Sequence, residues 1–337
     1  MAGIAVALIV AGMSIWPLTA RTPRAQIPQP ATGPVLEWPS PPDPARIRFV
    51  RSLNPAAVLG KPSMLSRVWR TLVGRDDVPR LAQPYGIAVG PDQKVYVADT
   101  TARAVHVFDL RKPGYTRIPV AGTSLIGIGV AGGQLFVTDS TSGRLMCLDE
   151  RGRSRWTLGR KDGFLRPTGL VTGPDRVYVV DTLGHRVVMV SPAGQILGWF
   201  GTRGSGPGQF NFPTNIARGA DGRLYVTDTM NFRVQIFDAD GRFVRAFGQL
   251  GDGSGDFDKP KGIAVDSDGH IYVVEGFNDV VQIFDERGQL LLVVGSSGSR
   301  DGQFWLPSGI AIVDDVMYVA DSANQRLEVF QYLKDAR

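Results

Sequence analysis

One unit recurs six times along this chain, and a repeat of that kind decides the architecture before any single element is assigned. Its first segment reads Pro84-Tyr85-Gly86-Ile87-Ala88-Val89, Pro167-Thr168-Gly169-Leu170-Val171, Pro213-Thr214-Asn215-Ile216-Ala217, Pro260-Lys261-Gly262-Ile263-Ala264-Val265 and Pro307-Ser308-Gly309-Ile310-Ala311-Ile312. A degenerate copy stands at Leu125-Ile126-Gly127-Ile128-Gly129-Val130. A turn follows, then a second segment ending in an acid. The acids are Asp99, Asp139, Asp181, Asp228, Glu275 and Asp321, spaced by 40, 42, 47, 47 and 46 residues. A third segment, such as Arg233-Val234-Gln235-Ile236-Phe237, and a fourth, such as Phe243-Val244-Arg245-Ala246-Phe247, complete the unit.

Four short strands at that period describe one blade of a β-propeller. The strands are apolar on both faces because each blade is stacked between two others. A lone blade cannot bury those faces, so the ring must close. The 41 glycines and 23 prolines suit many short strands and turns rather than a helical bundle. The sixth copy ends at Arg326-Leu327-Glu328-Val329-Phe330 without an outer strand, while a surplus alternating strand occupies 46–53. That segment is expected to complete blade six and leave no open seam. The fold class expected is therefore all-β: a six-bladed propeller of four-stranded antiparallel blades over residues 45–337.

The pattern Pro-x-Gly-Ile-Ala-Val…Ile-Tyr-Val-x-Asp-x-x-Asn-x-Arg-Val-Gln-Ile-Phe resembles the NHL repeat. Blades four, five and six also carry its Gly-x-Phe-x-x-Pro lead-in (Gly208, Phe210, Pro213; Gly255, Phe257, Pro260; Gly302, Phe304, Pro307). The resemblance spans about residues 46–332 and implies a six-bladed propeller. It leaves function open, because one propeller shape serves many tasks.

The first eighty residues differ in kind. Residues 1–20 carry no charged side chain and read as a membrane anchor or a signal peptide. Residues 21–44 form a Pro-rich linker, with eight prolines between 23 and 44, and read as a semi-rigid spacer. At about 62–74, Leu65, Trp69 and Leu72 fall on one stripe at helical spacing, with Arg67 and Arg70 beside it. This predicts a helix packed on the propeller or resting on a membrane or partner. These assignments place the chain outside the cytoplasm, tethered or secreted. Residues 1–80 hold ten Lys/Arg against four Asp/Glu, and the remainder holds 27 against 28. The net charge of +5 is thus an N-terminal property, and the near-neutral propeller is a poor footprint for nucleic acid.

The chemistry-bearing residues are few. Cys147 is the single cysteine, which excludes an intrachain disulfide and a CxxC zinc site. His106, His185 and His270 fall on a third strand and on hairpins at opposite faces, and cannot easily converge on one metal. The NHL resemblance includes a zinc-dependent lyase with channel-facing histidines, and that arrangement has no match here. Asp266-Ser267-Asp268-Gly269 reads as a hairpin turn rather than a calcium loop. Five blades place an arginine four or five residues after the acid: Asp99/Arg103, Asp139/Arg144, Asp181/Arg186, Asp228/Arg233 and Asp321/Arg326. A charge-assisted bond there would tie down the hairpin. Blade five loses both partners, with Glu275 for Asp and Val280 for Arg, which would free Glu275 for a partner.

In a meander the fourth-to-first and second-to-third connections share one face. Met230, Phe232, Glu275, Phe277 and Trp305 gather there as candidate partner-binding residues. With no catalytic set and no cofactor or metal site apparent, the reading is a non-enzymatic, protein-binding scaffold or accessory subunit in a membrane-associated complex. The alternative is a metal-dependent hydrolase or lyase acting in the propeller channel, and a weaker one is an RNA-binding propeller.

Overall fold

Val, Ile, Tyr and Phe fill the repeated segments, and their side chains pack on a pleated surface buried on both faces. In the computed structural model, which describes residues 35–59, 79–112 and 114–334, the first five copies of the repeat are antiparallel four-stranded meanders and the sixth supplies three strands of its blade. The innermost strands are Pro84–Val89, Leu125–Ala131, Pro167–Thr172, Asn215–Arg218, Pro260–Val265 and Pro307–Val313, and together they ring a central channel. The leader (1–20), residues 21–34 of the linker, and the stripe of Leu65, Arg67, Trp69, Arg70 and Leu72 lie outside the described residues. No helix among the described residues is long and apolar enough to cross a membrane.

The ring closes as the sequence predicts. Ile47–Leu53 runs antiparallel to Arg326–Tyr332, with Ile47 opposite Tyr332 and Leu53 opposite Leu327. Blade six has one strand more than expected, because Glu37–Trp38 pairs with Arg48 and Ile47. Trp38 stands edge-on to Phe330, ring centroids 5.7 Å apart. The spacer expected over 21–44 therefore gives way to folded structure by residue 37. An apolar indole with a neighbouring sheet edge to pair against outweighs the extended preference of the prolines around it.

The core lies between blades rather than within one. One cluster joins Val274, Ile283 and Val294 of blade five to Ile310, Val319 and Phe330 of blade six, with Ile47 of the closing strand. The next joins Tyr318 and Leu327 to Val95 and Phe108 of blade one, with Leu53. At the axis the backbones approach so closely that side chains are excluded. A Cβ on Gly309 would collide with the Tyr85 carbonyl oxygen, and one on Gly127 with that of Thr168. Blade four alone carries a side chain at this position, Asn215.

Candidate active site

Neighbouring blades are stitched at the channel mouth, on the face that carries the fourth-to-first and second-to-third connections. The residue after the blade acid supplies the stitch. The hydroxyl of Thr100 donates to the Leu125 carbonyl at 2.9 Å, Thr182 to Pro213 at 2.7 Å, Thr229 to Pro260 at 2.9 Å and Ser322 to Pro84 at 2.6 Å. A second hydroxyl on the first strand braces it: Thr168 pairs with Thr182 and Ser308 with Ser322, both at 2.7 Å. These bonds satisfy buried carbonyls that the strand ladder leaves over.

Blade five breaks this rule at both positions. Gly276 stands where the other five blades have Ser or Thr, and Lys261 stands where blades three and six have Thr168 and Ser308. The Lys261 side chain lies across Gly276, where a Cβ would overlap its Cδ, Cε and Nζ. Its ammonium reaches the Pro307 carbonyl at 3.4 Å, so a lysine makes the stitch to blade six. That single long bond leaves most of the donor capacity of the group unused. Burial holds the Lys261 amine below the usual lysine range, and the charges of Asp279 and Glu275 pull it back only in part.

Lys261 lines a cavity of about 280 Å³ at the mouth, bounded also by Gln83, Tyr85, Thr101, Ser308 and Gln325. Burial raises the Tyr85 hydroxyl above its ordinary value, opposed by the charge of Arg166, so it remains a proton donor at neutral pH. Beneath this mouth the channel, about 190 Å³, is lined mainly by aliphatic side chains, including Ile87, Leu170 and Ile310. The arrangement offers one amine able to exchange a proton and a set of hydroxyl and amide groups to orient a small polar molecule.

The residues singled out from sequence fare unevenly. Met230, Phe277 and Trp305 are exposed on the mouth face, at 39%, 58% and 57%. Phe232 is not a free tip: it is half-buried and packs against the cluster of Ala217, Tyr225 and Phe257. Glu275 is 0% exposed, so it is not a surface contact as expected from sequence. Its Oε2 accepts the amides of Lys259 at 3.0 Å and Asp258 at 3.3 Å, which draw the longer side chain inward.

The expected arginine tie holds in four blades, with Nη2 of Arg144 and of Arg186 at 3.4 Å, Nε of Arg233 at 2.9 Å and Nε of Arg326 at 2.8 Å from the carboxylate. It fails for Asp99/Arg103. Arg103 falls one residue short of the pairing position, which Ala104 occupies, and it sits exposed at φ 49°. Asp99 is held instead by the amides of Ala82, Gln83, Thr101 and Ala102.

The histidines serve the frame. His106 Nδ1 lies 2.7 Å from the Tyr115 hydroxyl, His185 Nδ1 accepts the Phe212 amide at 3.3 Å, and His270 Nδ1 is 2.8 Å from Asp266. Among the described residues no three His, Cys, Asp or Glu side chains gather as a metal site. The mouth presents an ammonium, hydroxyls and carbonyl oxygens, a donor set that does not fit a divalent metal.

Sequence reasoning passed over Lys261 and Gly276. The signal was present: after the six acids the chain reads Thr, Ser, Thr, Thr, Gly, Ser. Its meaning depended on knowing that this position bonds to the next blade.

Comparison with known proteins bears on the fold and on the enzyme question. A family model described as a six-bladed β-propeller matches residues 215–293. No curated protein matches by sequence. Virginiamycin B lyase from Staphylococcus aureus superposes with a TM-score of 0.56 at 16% identity, covering 76% of this chain and 98% of that one. A gluconolactonase from Xanthomonas campestris gives 0.60 at 18%, covering 75% and 87%. A luciferin-regenerating enzyme gives 0.56 at 13%, covering 77% and 94%. At these identities the likeness establishes the fold. It also overturns the expectation of a non-enzymatic scaffold. That expectation rested on the lack of a catalytic motif, and three proteins named as catalysts share this frame with little sequence in common.

Proposed function

We propose that the protein is a propeller enzyme of hydrolase or lyase type, with its site in the mouth cavity between blades five, six and one. Lys261 is the proton-transfer group, and the substrate is a small polar molecule bearing an activated carbonyl, such as a lactone or other ester. One observation carries this reading: blade five replaces two hydroxyls with a half-buried lysine at the channel mouth, where hydroxyls alone suffice for stability in the blades around it. In its neutral form the Lys261 amine takes a proton from water or from an acidic C–H bond and returns it to the leaving oxygen. Tyr85 lines the same cavity as a hydrogen-bond donor to the oxygen on which charge develops. Leu306 lines the same cavity and offers apolar surface to the body of the substrate. No step runs through a metal. The repeat is of NHL type on this reading, and residues 1–20 carry the propeller out of the cytoplasm.

The test uses gluconolactone and virginiamycin B as probes, followed by proton release and mass spectrometry. Wild-type protein is expected to open at least one of them, with a rate that rises with pH as Lys261 loses its proton. Lys261→Ser combined with Gly276→Ser rebuilds the hydroxyl pair of blade six. It is expected to fold with unchanged melting temperature and to lose about a hundred-fold or more in kcat. Turnover that survives this replacement, or no turnover of either probe, contradicts the reading.

A further inference from the structure

The arginine that blade five lacks leaves its binding partners behind. In blade four, Arg233 bonds the Asp228 carboxylate through Nε, and its Nη2 donates to the carbonyls of Gly206 and Gln209, each at 2.9 Å. In blade six, Arg326 bonds Asp321 through Nε and donates from Nη2 to Arg300 and Gln303, at 2.8 and 2.9 Å. The same two carbonyls in blade five belong to Gly253 and Asp256. The loop that presents them is built alike. The Asp256 amide donates to the Gly253 carbonyl at 3.1 Å, as Gln209 does to Gly206 at 3.1 Å and Gln303 to Arg300 at 3.0 Å. Gln282 braces the loop by donating to the Asp256 carbonyl at 2.7 Å, as Gln235 does to Gln209 at 2.6 Å.

The carboxylate is also present. In blades four and six one acid oxygen takes the loop amide and the other takes the arginine. In blade five Glu275 Oε2 takes the loop amides, while Oε1 is buried with no hydrogen-bond partner. A buried carboxylate oxygen left unpaired is costly, and natural proteins rarely retain one without a use. Val280, at the arginine position, is only partly buried and cannot donate.

We infer that Glu275 Oε1 and the carbonyls of Gly253 and Asp256 form a socket for a guanidinium group from outside the chain. Either the side chain of a protein arginine or a small guanidino compound could supply it. The planar fork suits this set better than a spherical cation, because two sister blades already fill it with an arginine. The inference goes beyond the mouth-cavity reading and does not depend on it.

Burial raises the Glu275 carboxyl to about 7, and the amides of Lys259 and Asp258 lower it, as does the charge of Lys261, while the charge of Asp258 opposes them. Asp279, near Lys261, is already bonded to Ser297 and to the Leu306 amide. Because the cation needs the ionised carboxylate, its affinity should rise as pH increases through about 7.

The experiment is calorimetric titration of full-length protein with methylguanidinium, with a blocked Gly-Arg-Gly peptide, and with potassium as the spherical control. Saturable binding of methylguanidinium, weakened at least about ten-fold by Glu275→Gln and abolished by Val280→Arg, is the expected result. Tighter binding of the peptide points to a protein arginine, and equal binding to a small guanidino ligand. Val280→Arg fills the socket from within, so a folded variant with raised melting temperature also supports the assignment. No saturable binding to the wild type, binding unchanged in Glu275→Gln, or potassium bound as well as methylguanidinium would overturn it.

Discussion

Ile47→Asp is expected to cost about 4 kcal/mol of stability, the lost burial of a large aliphatic side chain plus an unpaired buried carboxylate. Ile47 is 0% exposed and packs with Phe304, Met317 and Phe330, so its side chain joins the closing strand to blade six. Opening that seam does more than remove one contact. A propeller blade is stable because both its faces are covered, so loosening the closing strand of blade six weakens the cluster it shares with blade five and the one it shares with blade one. The measurable result is a lower urea midpoint, with early proteolytic cutting near 45–55. Arg48 is the control. It sits on the same strand, exposed, and pairs with Glu37 at 2.7 Å. Arg48→Ala should change stability by less than about 1 kcal/mol, because an exposed ion pair contributes little. Equal sensitivity at the two positions would contradict the closure.

The second large effect is at the axis. Gly309→Ala places a methyl group against the Tyr85 carbonyl, a backbone atom that no rotamer can move aside. The first strands of blades six and one would have to separate. An overpacking cost of about 3 kcal/mol follows, with a fall of roughly 10 °C in melting temperature. Because Tyr85 and Ser308 both line the mouth cavity, the separation should also lower turnover. A Gly309→Ala protein with wild-type melting temperature would show that the strands are not in contact as described.

The repeat, the blade count and the closing strand were legible because each is a matter of pattern: a period near 40–47, apolar strands between turns, one strand missing at one end and one surplus at the other. The two-residue strand Glu37–Trp38 was not, since a run of prolines hides a pairing that depends on a neighbouring edge. The arginine ties were legible in four blades and misread in the first, where the hairpin has the same length but Ala104 takes the paired position and Arg103 stands one residue before it. The candidate site was harder. Glu275 and Val280 stood out in the sequence as a joint departure, but the substitution drew the carboxylate inward instead of exposing it. Lys261 and Gly276 escaped notice because their significance lies in a bond to the next blade, and no single-strand pattern encodes what a side chain meets across a seam.

The measurement that bears most directly on the account is competitive labelling of the lysine amines across a pH series, read residue by residue by mass spectrometry. It needs no knowledge of the substrate. Lys261 is expected to become reactive at lower pH than a blocked lysine peptide added as reference, because its amine is half-buried against one carbonyl and its neutral form is favoured. A Lys261 that titrates with the reference peptide, or one that never reacts, would contradict the assignment of a proton-transferring lysine to the channel mouth.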